Sequence, residues 1–505
     1  MPGRAQRGQA MVFTLVFAAA TALVALFLFN SGMMANAKTR LQNAADAGAY
    51  SASVLEARDH NFSAYTNRSM IANQVAVAQL VSMKSYLEDA ADTHDRMGGA
   101  ILSTEASLIP SSKPRWDFAK DLPIESVNSA FASIAPTVVK ALDVLIEAHM
   151  TAQEAHHAAT MVEMVVVADE VVKRNDPNAA ITKGGFTVGR TAFQVKGWGD
   201  STKQLHANDP SKEADRFADV VVSDKSTDLF TRDRLSVPTP SWGPTSVKLC
   251  QFLPNYVRSN TLFGFVHNGG TLLSKDKKHW YALDATIGGG VQTCTFWYPC
   301  FPTGICFFTE TTPLIDGNFG LGGWGGGVAG KNGGYDSRTG YKNNPTLAKY
   351  YGGTLITPPT LIPGNIKYYK GPGETLDAAG GLQDYYRDVT DFETKPKDQS
   401  PENNGAQYSV TLEVERKDET IRTSSKFLPG SNRLKMDDGM KSGKMKALAA
   451  AQAYFYRPKT NSFFTRNSWT RSDGKTEMAN QFSPYWQSRL ADRSTADRVA
   501  SWAAH

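Results

Sequence analysis

The chain has 505 residues, 41% of them hydrophobic and 20% charged, with a formal net charge of +5 and four cysteines. That length leaves room for two or three domains with real cores. So small a charge excess does not imply a nucleic-acid partner, and none is expected.

The first element is an apolar run from Ala10 to Phe29, polar only at Thr14 and Thr21. About 20 residues at 1.5 Å each reach about 30 Å, the thickness of a bilayer's hydrocarbon core. Four Leu, three Val and four Phe in the run favour insertion by about 3 to 7 kcal/mol on a biological insertion scale. The pattern predicts a transmembrane helix over 9–30, with Phe13, Leu15, Phe17, Leu23, Leu26 and Phe29 as its lipid-facing anchor. Arg4 and Arg7 precede it and no acid does, so residues 1–8 form a cytoplasmic basic tip and the bulk lies outside. Ala35-Asn36-Ala37 offers a signal-peptidase site, but the run exceeds the usual apolar core of a signal peptide, which favours a retained anchor. Gly32 marks a flexible point after it.

Residues 31–175 read as a helical stalk or hairpin. Met34, Ala37, Leu41, Ala44, Ala45, Gly48, Ala52 and Leu55 recur mostly at three- and four-residue steps, one helix face, while Lys38, Gln42, Asp46 and Ser53 take other faces. The small residues let a partner helix come close. A second helical region spans Glu125 to Lys173, with Pro136 expected to break or start a helix. Pro110, Pro114 and Pro123 mark the connection. Glu147, His149, Glu154, His156 and His157 contain one Glu-x-x-His pair, but a di-metal bundle site needs a second pair and two further glutamates. No metal or other cofactor is expected.

Residues 176–436 read as a mixed, β-rich domain, dense in Gly and aromatics. Phe186 to Val188, Thr191 to Val195 and Ser246 to Phe252 look like strands. Cys250, Cys294, Cys300 and Cys306 form an even set in exported sequence, and so read as two disulfides whose pairing stays open. The aromatic stretch from Thr293 to Phe308 is a loop that disulfides could close, read as a small core in preference to a sugar- or surface-binding patch. Gly325 to Asn332 nearly matches a phosphate-binding loop, but Asn332 replaces the hydroxyl and glycines follow, so it reads as a turn-rich loop. Tyr408 to Ser424 reads as a hairpin around Lys417-Asp-Glu.

In residues 437–505, Lys444 to Tyr456 reads as a helix ended by Pro458. The segment from Arg457 to Arg498 has eight Lys/Arg against four Asp/Glu, a net of +4, interleaved with aromatics. Arg457, Arg466, Arg471, Trp469, Trp486 and Arg489 are its candidates for contact with an anionic surface or polysaccharide, weighed against a plain core covered by arginines. No catalytic motif of the serine, cysteine or zinc-protease kind is present, and no enzyme is expected.

Three stretches carry a family resemblance. Gly8-Gln9-Ala10 with the apolar run and Lys38 to Ala47, then Tyr65 to Gln79, resemble TadG-like proteins of the tight-adherence (Flp-type) pilus assembly system. Ala447 to Pro458 and Asn480 to Leu490 are similar to the C-terminal end of that group, with Ser483 in place of an Asn. The resemblance implies a single-pass protein of the bacterial inner membrane, its bulk periplasmic or surface-exposed, working with other pilus-assembly proteins in cell adhesion. It also implies Gly8–Gln9 as the junction a prepilin peptidase would cut. Phe13 stands where such substrates carry Glu, so an uncleaved anchor is expected. Some members carry a metal-binding Asp-x-Ser-x-Ser motif; Asp224 to Asp228 departs from it, and the site is not carried over.

The fold class expected is therefore α+β: a transmembrane helix continuing into a long helical stalk or hairpin, then an irregular β-rich, disulfide-containing exported domain. The expected function is a membrane-anchored structural or assembly component acting by protein–protein packing. The alternative is a membrane-tethered periplasmic enzyme or glycan-binding protein with its site in residues 180–400.

Overall fold

The protein is described by a computed structural model. It describes residues 7–97, 121–183, 194, 202–205, 220–232, 234, 254–273, 279–302, 304–313, 324–330, 385–389, 409–424, 443–457, 479–493 and 495–503. The strand-like runs expected at 186–188, 191–195 and 246–252 fall wholly or almost wholly outside these.

Two long helices lead the chain, α1 (Arg7–Met97) and α2 (Ile124–Asn175). They are followed by strands and two short helices, α3 (Leu229–Arg232) and α4 (Thr495–Ala503). Helix α1 runs through Gly32, where a flexible point was expected, and α2 runs through Pro136, where a break was expected. Proline removes one hydrogen bond of the ladder, and the rest of a 52-residue helix holds it. The chain divides into two compact units: residues 1–66, 152–203 and 386–505, and residues 67–151 and 204–385.

In the first unit the early part of α1 meets the late part of α2 and a four-stranded antiparallel sheet. The sheet comprises β1 (Ala179–Ile181), β8 (Ser409–Lys417), β9 (Lys444–Phe455) and β10 (Trp486–Leu490), in the order β1-β8-β9-β10. The expected small-residue face is the contact surface. Leu41, Ala44, Ala45, Ala49 and Ala52 join Met164, Ala168 and Val172 of α2 and Leu412, Ala447, Ala449 and Ala451 of the sheet in one core. A Cβ on Gly48 would sit 2.7 Å from Val172 Cγ2, so glycine sets how closely α2 approaches. Ser53, expected on an outer face, is buried against Ser488, because α1 is covered by sheet as well as by helix.

Two expectations fail here. Lys444 to Phe455 is a strand, not a helix. Alanine favours helix by a few tenths of a kcal/mol per residue over most alternatives, but β9 is paired along both edges, to β8 and β10. Its alternate residues Met445, Ala447, Ala449, Ala451, Ala453 and Phe455 are all buried. The partner of β8 is likewise not the segment after Lys417, which turns through Asp418–Thr420, but β9 on one side and β1 on the other.

In the second unit the later part of α1 packs on a sheet built around β4 (His279–Tyr298). Trp280 to Phe296 of β4 pair with β3 (Tyr256–Leu273), one end of its other edge with β5 (Cys306–Pro313), and the opposite end with β6 (Trp324–Gly330). The glycine-rich stretch expected as a loop is thus a strand. A Cβ on Gly325 would lie 1.8 Å from the Ser85 carbonyl oxygen and one on Gly327 2.4 Å from that of Val81. The glycines let a strand lie against a helix backbone. The short strands β2 (Thr202–Leu205) and β7 (Tyr385–Val389) fall where the chain passes between units.

Candidate functional site

The run from Ala10 to Phe29 is helical throughout and none of it is buried inside the protein. Phe13 is 76% and Phe17 71% exposed; Leu15, Leu23 and Phe29 are exposed too, and Leu26 is half-buried. By length and composition this segment can cross a membrane, and it has no protein core to explain its apolarity. Thr14 and Thr21 donate their hydroxyls back to carbonyls one turn earlier, so both polar groups are satisfied within the helix. Gly8 and Gln9 lie in the first turns of α1.

The exit of the run is fastened at Asn30. Its side-chain amide donates to Ser424 Oγ at 2.6 Å, and its Oδ1 accepts from the Ser424 backbone N–H at 2.7 Å. Farther along, Lys38 donates to the Lys446 carbonyl and Gln42 to that of Leu448, at 3.1 Å for the latter. Two of these side chains tie the first turns beyond the apolar run to β9, and Asn30 ties them to the segment after β8.

Below them a polar network runs through the core of the first unit. Asp59 accepts from His156 Nδ1 at 2.8 Å and His157 Nδ1 at 3.0 Å, one histidine per carboxylate oxygen. Gln153 donates to the Ser63 carbonyl. His60 stacks on Trp486 with ring centres 4.0 Å apart and hydrogen-bonds Gln481. Asn61 closes the free edge of β10: its amide donates to the Trp486 carbonyl, and its Oδ1 accepts the Trp486 N–H. Burial pushes the Glu56 carboxyl up to about 8, a hydrogen bond from the Ala453 backbone opposing and the Asp59 charge adding to it. Among the described residues no group of three or more His, Cys, Asp or Glu is placed to hold a metal ion, and the histidines of α2 are engaged by α1.

The second unit has its own buried charge cluster. Arg234 forms a two-pronged pair with Asp284, 2.7 Å on each oxygen, and also donates to Thr271 Oγ1 and the Phe230 carbonyl. His267 lies between Asp89 at 3.0 Å and Asp284 at 3.2 Å. Burial alone would lower the His267 imidazole, but hydrogen bonds and charge from Asp284 and Asp89 outweigh it and hold it at about 9. Burial raises Asp89 despite His267 and Thr286; Asp284 is held low by Arg234 and His267 against its burial. These side chains are buried and satisfy one another, as a structural cluster must.

Cys300 and Cys306 are bonded and close the turn between β4 and β5. No described cysteine is free; Cys250 lies outside the described residues. The stretch read as a small core is one only in part. Cys294 and Phe296 are buried beside Tyr256, whereas Trp297, Tyr298, Phe307 and Phe308 are exposed and Phe301 is 100% exposed.

Of the basic–aromatic set, Trp486 is buried and donates its indole N–H to the Asn480 carbonyl at 2.9 Å. The Arg457 guanidinium lies over Tyr485 and that of Arg489 over Tyr454. Arg466, Trp469 and Arg471 lie outside the described residues. Sequence reading missed Asn30, Asn61 and Asp59, whose only signal was polar residues recurring on the small-residue helix, and Ser424, which carried no signal of its own.

Residues 8–59 match the family model Tad, described as "Putative Flp pilus-assembly TadE/G-like". The expected resemblance to a TadG-like protein is therefore shown, on a segment that holds the apolar run and the first core-forming turns of α1. No curated protein and no solved structure gives a significant match. The C-terminal stretches expected to resemble the same group lie outside that match; β9 and the Asn480 to Leu490 string pack on the matched segment in the first unit.

Proposed function

We propose that the chain is a membrane-anchored structural component of tight-adherence pilus assembly, acting by protein–protein packing and without catalysis. One observation carries this reading: the apolar run of the Tad segment is bare along its length, and immediately beyond it the helix is hydrogen-bonded to folded chain, through Asn30 to Ser424 and through Lys38 and Gln42 to β9. The run holds the protein in the inner membrane with residues 1–8 cytoplasmic, and residues 31–505 stand outside as the surface other pilus proteins meet. Two basic residues before the run and no acid support that direction. The buried charge clusters are filled by their own partners, so they stiffen the two units. Arg457, Arg489 and Trp486 are committed to internal contacts, and an anionic-surface role is not part of this proposal.

Mass spectrometry of the mature protein, taken from membranes and from sheared surface fibres, tests it. A membrane-borne chain that retains residues 10–29 and is missing from the fibres is expected. A chain starting at Lys38 overturns the anchor, and one starting at Gln9 within fibres overturns the assembly role in favour of a filament subunit.

A further inference from the structure

The hairpin of β4 and β5 ends in an uncharged turn. From Thr293 to Phe308 there is no Asp, Glu, Lys, Arg, His, Asn or Gln, and six residues are aromatic. The base of the hairpin is packed: Phe296 is buried beside Cys294 and Tyr256 and stacks on Phe308, ring centres 5.3 Å apart. Beyond that base the apolar side chains are open on both faces. Trp297 and Phe307 are register partners on one face, Tyr298 and Phe308 lie on the other, and all four are exposed. At the turn itself Phe301 is 100% and Ile305 59% exposed. An antiparallel pair with water on one side presents polar residues there; this one presents aromatics on both. The nearest charges along the ladder, Arg258 and Glu310, pair with Thr295 and Cys294, on the side away from the turn.

We infer that this tip is a lipid-docking element that enters the interface of a phospholipid bilayer. Its composition selects lipid. A sugar site also stacks aromatics, but it needs a few placed polar groups to fix the ligand. A protein interface surrounds its apolar centre with a polar rim and makes about one hydrogen bond per 100–200 Å². The tip brings no charged or amide side chain for either. Trp and Tyr, by contrast, settle at the membrane surface with the ring toward the acyl chains and the N–H or O–H among the headgroups. The backbone suits the same place, where unpaired polar groups are costly. The strands pair up to Tyr298 and Cys306, and the Gly304 N–H donates to the Cys300 carbonyl at 2.8 Å. Pro299 and Pro302 have no N–H to leave unpaired. The Cys300–Cys306 bond holds the turn closed, so entry imposes little new order. At about 3.3 Å per residue, the steps from Trp297 to Phe301 span at most about 13 Å, so Phe301 passes the headgroups while Trp297 stays level with them. A contact of this depth is reversible, and the apolar run remains the anchor. The inference rests on the anchored reading only in that a chain held at a membrane raises the lipid concentration around the tip.

Tryptophan fluorescence of the full chain tests it, in vesicles of phosphatidylcholine brominated on its acyl chains, with empty vesicles of the same lipid added. The apolar run contains no tryptophan, so bromine quenching reports on other parts of the chain. Quenching relative to unbrominated vesicles is expected, and Trp297→Phe, which keeps the tip apolar, should remove the part owed to Trp297. Phe301→Ser/Phe307→Ser should withdraw Trp297 from the lipid and remove the same part, with an unchanged melting curve because both side chains are exposed. Vesicle flotation reads the anchor separately. A chain that floats with Trp297 unquenched overturns the tip and leaves the anchor; a chain that neither floats nor is quenched overturns both. Quenching at Trp297 that survives removal of both phenylalanines overturns the inference. So does Trp297 emission that responds to a soluble polysaccharide or to another protein and not to brominated lipid.

Discussion

Glu56 and His267 sit in different units, and both bind a proton more tightly folded than unfolded. For Glu56 the folded value is about 8 against an ordinary 4.5, so its contribution is full below pH 4.5 and lost as pH rises through 8. For His267 it is about 9 against 6.5, so the contribution is full below pH 6.5 and lost as pH rises through 9. Stability of the first unit should therefore decline from pH 4.5 to 8 through Glu56, and that of the second from pH 6.5 to 9 through His267. Glu56→Gln mimics the protonated acid and should remove the first decline while leaving the second. Urea unfolding of both chains across this pH range checks it; superimposable stability curves would sink the assignment. Neither residue announced itself in sequence. A lone glutamate on α1 and a lone histidine on β3 carry no pattern of their own, and only the packing of α1 against sheets built from residues far along the chain desolvates them.

At the scale of elements, α1 was largely legible because its signals are local: an unbroken apolar run, then small residues at helical steps. The sheet elements were less so. In β9 the alanines carry a helical preference and also an alternation, and pairing along both edges decides between them. In β6 the glycines read as a loop because the reason for them, the backbone of α1 at van der Waals distance, lies about 240 positions earlier in the sequence. That contact makes a prediction. Gly325→Ala forces a methyl onto the Ser85 carbonyl, which neither a paired strand nor a helix backbone can yield cheaply, and should cost about 1 to 3 kcal/mol or more. Gly32→Ala, with nothing within 4 Å of the added carbon, should be neutral or stabilise the helix by up to about 1 kcal/mol. Thermal melting of the two variants side by side tells them apart, and equal melting temperatures would mean that β6 does not lie on α1.

For the whole molecule, what matters is where the folded parts are held, and that rests on one free-energy balance. The apolar run gains about 3 to 7 kcal/mol on insertion, while an arginine at the centre of a membrane helix costs about 2.5 to 3.5 kcal/mol. Two arginines therefore cancel most or all of the gain. Ala19→Arg/Leu23→Arg, near the middle of the run, should release the chain into the soluble fraction on alkaline carbonate extraction, whereas the wild type stays with the membrane. Because no residue of the run is buried in the protein, the same variant should melt like the wild type. Retention in the membrane with both arginines present would show that another surface holds the protein there. Asn30→Ala separates the two jobs of this region. It removes both hydrogen bonds to Ser424 and leaves the apolar run intact, so the chain should remain in the membrane while protease cuts faster near Ser424.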